Sequence, residues 1–161
     1  MALLQHRDQL SRLRQEPALL PKAIDELLRF AGPARAQFRQ AIAKVTINGC
    51  TIQPDQRIIL MLDIANRDPD RFPNPSELQF DRRPADHLAF GTGLHACVGA
   101  TLVKSAAAVA TKALLDCFSL PEHYTALPAN CFAVRCVKSL LVLLQHSPAA
   151  ERDKPDDTPE R

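Results

Sequence analysis

An α+β fold is what the chain's pattern predicts, on three observations. Apolar residues recur at helical spacing near the start and again beyond residue 98. Alternating residues flank the Asn48-Gly49 pair, the mark of a tight hairpin. Between them lies a stretch holding Pro69, Pro73, Pro75 and Pro84, a spacing that no helix or ladder tolerates. The predicted order is helix, hairpin, meandering loop, cysteine loop, helix and strand, which is an α+β layout.

Each element has its own justification. Leu3, Leu4, Leu10 and Leu13 give residues 3–15 the periodicity of a helix. PKAIDELLRF, residues 21–30, is a clearer helix: Pro21 suits its first turn and Gly32-Pro33 stops it. VTINGCTI, residues 45–52, reads as the hairpin, and RIILML, residues 57–62, as a strand introduced by the Pro54-Asp55 turn. Residues 68–84 form a long loop, ordered or disordered. A helix follows from about residue 98 to about 120, with Val98, Leu102, Val109, Ala113 and Cys117 near one face and many alanines for close packing. CVKSLLVLL, residues 136–144, is the final strand. No internal repeat is apparent.

The 161 residues are 46% hydrophobic and 24% charged, with a net charge of +2. That is the profile of one soluble globular domain, placed at residues 1–146, with a disordered tail over 147–161. The near balance of charge argues against nucleic acid or a membrane surface as partner. The first residues, MALLQHRDQLSRLRQ, carry charges too early for a secretory signal. Lys104 and Lys112 interrupt the most apolar stretch, so no membrane span is expected. Five cysteines (Cys50, Cys97, Cys117, Cys131 and Cys136), odd in number and irregularly spaced, read as reduced thiols and a cytoplasmic location.

One of those cysteines stands apart. FGTGLHACVGA, from Phe90 to Ala100, sets Cys97 among Gly91, Gly93 and Gly99 at the entry to the long helix. Positive φ at Gly91 and Gly93 lets the loop turn, and Gly99 lets something flat approach the helix's first turn. Unpaired amides and the helix dipole favour a thiolate there. Three readings compete: a buried structural thiol, a nucleophile with His95 as base, and a thiolate that binds a metal. Two residues on a turn seldom reach nucleophile–base geometry. His95, Cys97, Cys117 and His123 lack the paired short spacings of structural zinc. The Gly-x-Gly lacks the third glycine of a dinucleotide loop.

The loop resembles the haem-thiolate signature of the cytochrome P450 family, Phe-Gly-x-Gly-x-His/Arg-x-Cys-x-Gly, at every defined position. Glu26-Leu27-Leu28-Arg29 is similar to that family's Glu-x-x-Arg motif, and ANRDPDRFPNP with FDRRPADHLAFG resembles the meander before the cysteine loop. The resemblance runs from about residue 3 to residue 144 and is to the C-terminal part of a bacterial-type member. It implies the mainly helical, proximal haem-binding layer of that fold, with small β-hairpins.

What the resemblance implies for single residues follows position by position. Cys97 would be the axial ligand of haem b iron, with Phe90 shielding the sulfur from water. Gly91 and Gly99 would shape the loop against the porphyrin. Arg39 and His95 would meet the haem propionates, with His87 a third candidate. Glu26, Arg29 and Arg82 would form a buried triad that fixes the meander against the core. His6, His123 and His146 match nothing and are expected at the surface.

The implied activity is that of a monooxygenase inserting one oxygen atom from O2 into a small organic substrate, with electrons from a ferredoxin- or flavin-type donor. Family members run to well over twice this length, so a chain shortened on its N-terminal side is expected. The distal helix's Ala/Gly-Gly-x-Asp/Glu-Thr motif is not found, which leaves no oxygen-activating catalytic residue among these 161. The family's tryptophan contact to a propionate is also absent, since the chain has no Trp. The alternatives are an inactive haem-binding or partner-binding fragment served by a second polypeptide, and the remnant of a disrupted gene.

Overall fold

Leucines near the start form two helices where one was expected. The computed structural model, which describes residues 1–82, 87–119 and 123–145, has α1 at Ala2–Gln5 and α2 at Arg7–Gln15. The break is His6, with non-helical φ −118° and ψ 73°. Its Nδ1 donates to the Ala2 carbonyl at 2.8 Å, and its ring meets Phe30 edge-on at 5.2 Å. His6 is therefore half-buried, contrary to the surface position expected of it. His123 is exposed, and His146 lies outside the described residues, as does the tail over 147–161.

Helix α3 spans Leu20–Ala31, with Pro21 in its first turn. It buries Ala23, Ile24, Glu26 and Arg29. Leu13 of α2, Ala23 of α3, and Leu78 and Phe80 of the proline-rich loop form the centre of the core. Leu27, Phe30 and Leu115 close around them, partly exposed. The helix stops where its sequence says it must. Gly32 caps it through Leu28 O at 2.9 Å, and Pro33 forces Gly32 into extended backbone, φ −55° and ψ 152°. A Cβ at Gly32 would lie 2.3 Å from the Leu28 carbonyl oxygen, so backbone has to move. Gly32→Ala is expected to cost about 1–3 kcal/mol, an overpacking penalty read as a lower denaturant midpoint with unchanged slope.

Strand β1 is Ala36–Gln40. The hairpin β2 (Val45–Ile47) and β3 (Cys50–Ile52) turns at Asn48 and Gly49, whose φ values of 48° and 78° are those of the primed turn expected there. Strand β4, Arg57–Met61, runs antiparallel to β1, with Ala36 opposite Met61 and Gln40 opposite Arg57. The last residue of the strand expected over 57–62, Leu62, instead starts the short helix α4, Leu62–Ala65. The proline-rich stretch has no strand or helix among its described residues. Helix α5, Ala100–Cys117, packs on α3. Strands β5 (Tyr124–Pro128) and β6 (Val137–Val142) make a third antiparallel pair, bulged between Leu127 and Pro128. The turn joining them reaches back to β1: Arg35 N–H bonds Ala133 O at 2.9 Å, and Arg135 N–H bonds Pro33 O at 2.7 Å. No helix of the described residues is long and apolar enough to cross a membrane.

Candidate functional site

A loop with four prolines has few ladder partners, so its carbonyls must be satisfied otherwise. Two guanidinium groups do this. Arg29, 3% exposed on α3, donates to the carbonyls of Asn66 (2.8 Å), Pro75 (3.0 Å) and Glu77 (3.2 Å). Arg82 donates to those of Pro73 (2.6 Å) and Asn74 (3.2 Å). Glu26 holds both arginines. Its carboxylate takes a fork from Arg29 (Nε at 2.7 Å, the second nitrogen at 2.8 Å) and accepts Arg82 Nε at 3.2 Å and Gln79 N–H at 3.1 Å. Phe72 lies under the Arg29 guanidinium at 5.3 Å. The structure thus brings Glu26, Arg29 and Arg82 together, and the meander is pinned by side chains rather than by strands.

The pinned loop leads to a short helical turn at residues 88–90 and then to Cys97. Buried Asn66 ties the two, accepting Leu88 N–H on Oδ1 at 2.6 Å. Gly91 and Gly93, with φ of 66° and 69°, make the reversals that ordinary residues resist. Phe90 O accepts Cys97 N–H at 2.9 Å, and Cys97 O accepts Ala100 N–H at 3.2 Å, so these amides bond carbonyls and leave the thiol side free. The thiol is exposed. Gly99 precedes α5, and a Cβ there would stand 3.8 Å from Cys97 Sγ.

Around the thiol the surface is apolar on one side. Leu94 and Val98 are fully exposed, and Leu102 and Val109 continue the stripe along α5 at 74% and 70% exposure. Ala100 and Lys104 lie across the helix from Leu102, on the side facing α3, because two residues turn a helix by roughly half a revolution. They help to line a cavity of about 480 Å³ shared with Asp25, Phe72, Phe90 and Cys97. This half-open cavity is therefore on the α3 side of the loop, while Leu94 and Val98 are bare to solvent.

That bare surface fits a porphyrin. The exposed Cys97 thiol lies between Leu94 and Val98 in sequence, and all three side chains are open, a combination of sulfur donor and bare apolar surface that would suit a flat apolar ligand. Among the described residues no three His, Cys, Asp or Glu side chains gather as they would for a metal held by protein alone. Arg39 lies on β1, exposed, with one guanidinium nitrogen on Phe38 O at 2.8 Å. His95 is exposed in the turn at residues 93–95. His87 is different. Its Nδ1 accepts Ala89 N–H at 3.3 Å and its Nε2 lies 3.8 Å from Asp25 Oδ1, so both ring nitrogens face protein groups. Arg39 and His95 are thus exposed, whereas His87 is engaged by its own turn and by Asp25.

Burial holds the His87 pKa below its ordinary value, with Lys104 adding to the effect and Asp25 opposing it. The neutral ring is thus favoured in the folded chain. As pH falls through about 6.5, the unfolded chain takes up the proton first, and stability drops. Thermal unfolding is expected to lose more between about pH 7.5 and about pH 5.5 for the wild-type chain than for His87→Gln, which keeps an acceptor for Ala89.

Asn66, Asp25 and Lys104 carry contacts that sequence reasoning assigned to no one. Asn66 sits inside the ANRDP stretch, where an uncharged polar residue after an apolar run was a readable signal. Asp25 and Lys104 had none, because their pairing depends on how α3 lies on α5.

Comparison with known proteins follows the same line. The family model described as Cytochrome P450 matches residues 2–132. The chain is 41% identical over 116 residues to Cytochrome P450 monooxygenase PikC of Streptomyces venezuelae, covering 71% of this chain and 28% of that one. It is 40% identical over 116 residues to the Biotin biosynthesis cytochrome P450 of Bacillus subtilis, covering 72% of this chain and 29% of that one. The crystal structure of CYP109E1 from Bacillus megaterium in complex with corticosterone superposes with a TM-score of 0.83 at 30% identity, over 88% of this chain and 39% of that one. The chain spans under a third of the length of these two curated relatives.

Proposed function

We infer the function from what the chain is: it belongs to the cytochrome P450 family. It is the portion that holds haem b, and the reaction it serves is monooxygenation, the insertion of one oxygen atom from O2 into a small organic substrate. The supporting observation is the exposed Cys97 thiol, on a glycine-turned loop that also bares the side chains of Leu94 and Val98. When bound, haem supplies the iron at which O2 is activated. The chain's own residues have narrower tasks. Cys97, deprotonated, would hold the iron through its sulfur, and a thiolate ligand would supply electron density to it. Leu94 and Val98 exclude water from the porphyrin face beside it, and that dryness tunes the potential. Arg39 and His95, both exposed, would pair with the propionates through charge-assisted hydrogen bonds. Glu26, Arg29 and Arg82 keep the approach to the loop rigid.

Electrons come from a ferredoxin- or flavin-type donor, and the setting is the cytoplasm. The exposed stripe at Leu102 and Val109 supports a second reading for the chain alone: a haem-binding module that turns over only when a second polypeptide covers α5. Adding hemin to the chain, then dithionite and CO, is the test. The expected Soret band is the one typical of thiolate ligation. A band typical of histidine ligation, or no uptake of haem, overturns the function. Turnover by the hemin-loaded chain with no added polypeptide would remove the second reading.

A further inference from the structure

We propose that Asp25 is a positioning residue for the Cys97 loop, acting through Lys104 and His87 on the turn at residues 88–90. Its bearing on haem rests on the thiolate reading of Cys97, whereas the link itself is a property of the chain. Asp25 Oδ1 is shielded from solvent, with Lys104 Nζ at 2.7 Å and His87 Nε2 at 3.8 Å. Neither makes an aligned hydrogen bond to it, so the contact with Lys104 is an ion pair. A shielded carboxylate oxygen is costly unless positive charge or a donor stands close by.

Both partners grip the same short turn. Lys104 Nζ sits 5.9 Å from the Phe90 ring centroid, within reach of a cation–π attraction. His87 caps the turn by accepting Ala89 N–H on Nδ1, which places the ring proton on Nε2, the nitrogen that faces Asp25. Phe90 then holds Cys97 through its carbonyl, the 2.9 Å bond already described. Lys104 and Asp25 are 42% and 45% exposed, and an isolated pair of that kind contributes little. Here one carboxylate joins α3 to the two side chains that fix Phe90, and so orients the loop that presents the sulfur.

Two readouts on the full chain separate this role from general stability. In the haem-free chain, the His87 ring is titrated by NMR. Asp25→Asn should move its pKa down and Lys104→Met should move it up, opposite shifts that loss of packing does not produce. In the hemin-loaded chain, Asp25→Asn should weaken haem retention about 10-fold and diminish the thiolate-type ferrous–CO band, with Asp25→Glu restoring most of both. A His87 titration that neither variant moves overturns the proposal, as does Asp25→Asn with haem retention and band intact. Opposite shifts in a chain whose wild type gives no thiolate band would uphold the link while ending the haem reading.

Discussion

Replacing Glu26 with alanine is expected to destabilise the chain by about 3–5 kcal/mol, because it strands the buried Arg29 and the half-buried Arg82. Glu26 is 5% exposed and lies between Arg29 and Arg82, accepting from both and from the Gln79 amide. Without it the guanidinium charges stay in a low-dielectric site with only carbonyl oxygens to face. If the arginines instead turn out to water, the carbonyls of Asn66, Pro73, Asn74, Pro75 and Glu77 lose their donors. Stability of a domain this size is commonly about 5–15 kcal/mol, so the loss approaches unfolding. Glu26→Gln keeps the shape but not the charge and should cost less. The check is chemical denaturation of both variants, with hemin uptake measured alongside. A shift for Glu26→Ala within about 0.5 kcal/mol of wild type, the usual range for surface changes, would mean the triad is an ordinary surface cluster.

Cys97→Ser is expected to abolish the thiolate-type ferrous–CO band while leaving stability nearly unchanged. The side chain is exposed and its amide, not its sulfur, holds the loop through Phe90 O, so the substitution removes no packing. A serine hydroxyl is neither ionised at neutral pH nor soft enough to take the place of sulfur on iron. The other four cysteines matter to the design of the experiment. Cys50, Cys117, Cys131 and Cys136 are all exposed as well, and any of them could capture hemin on the surface. Replacing those four with serine and keeping Cys97 should leave the band intact.

Much of this site was legible because its chemistry is local in sequence. Gly91, Gly93, Cys97 and Gly99 fall within nine consecutive positions, and their φ values or placement follow from residue type. Glu26 and Arg29 meet one helical turn apart, and the hairpin at Asn48-Gly49 is set by its own two residues. What was not legible depends on distance. AQFRQ alternates over only four residues and YTALP breaks alternation at Ala126-Leu127, signals too short to mark β1 and β5, which are set by pairing with β4 and β6. The break at His6 comes from a ring that leaves the helix to pack on Phe30. Periodicity predicts which residues are apolar together, and it is blind to a side chain that bonds its own backbone.

The central claim is that Cys97 sulfur binds haem iron, and X-ray absorption at the iron edge reads that bond directly. The hemin-loaded chain retaining only Cys97 should show one sulfur neighbour on iron, and Cys97→Ser should show only nitrogen and oxygen. The same iron environment in both, or sulfur on iron in Cys97→Ser alone, would contradict the account.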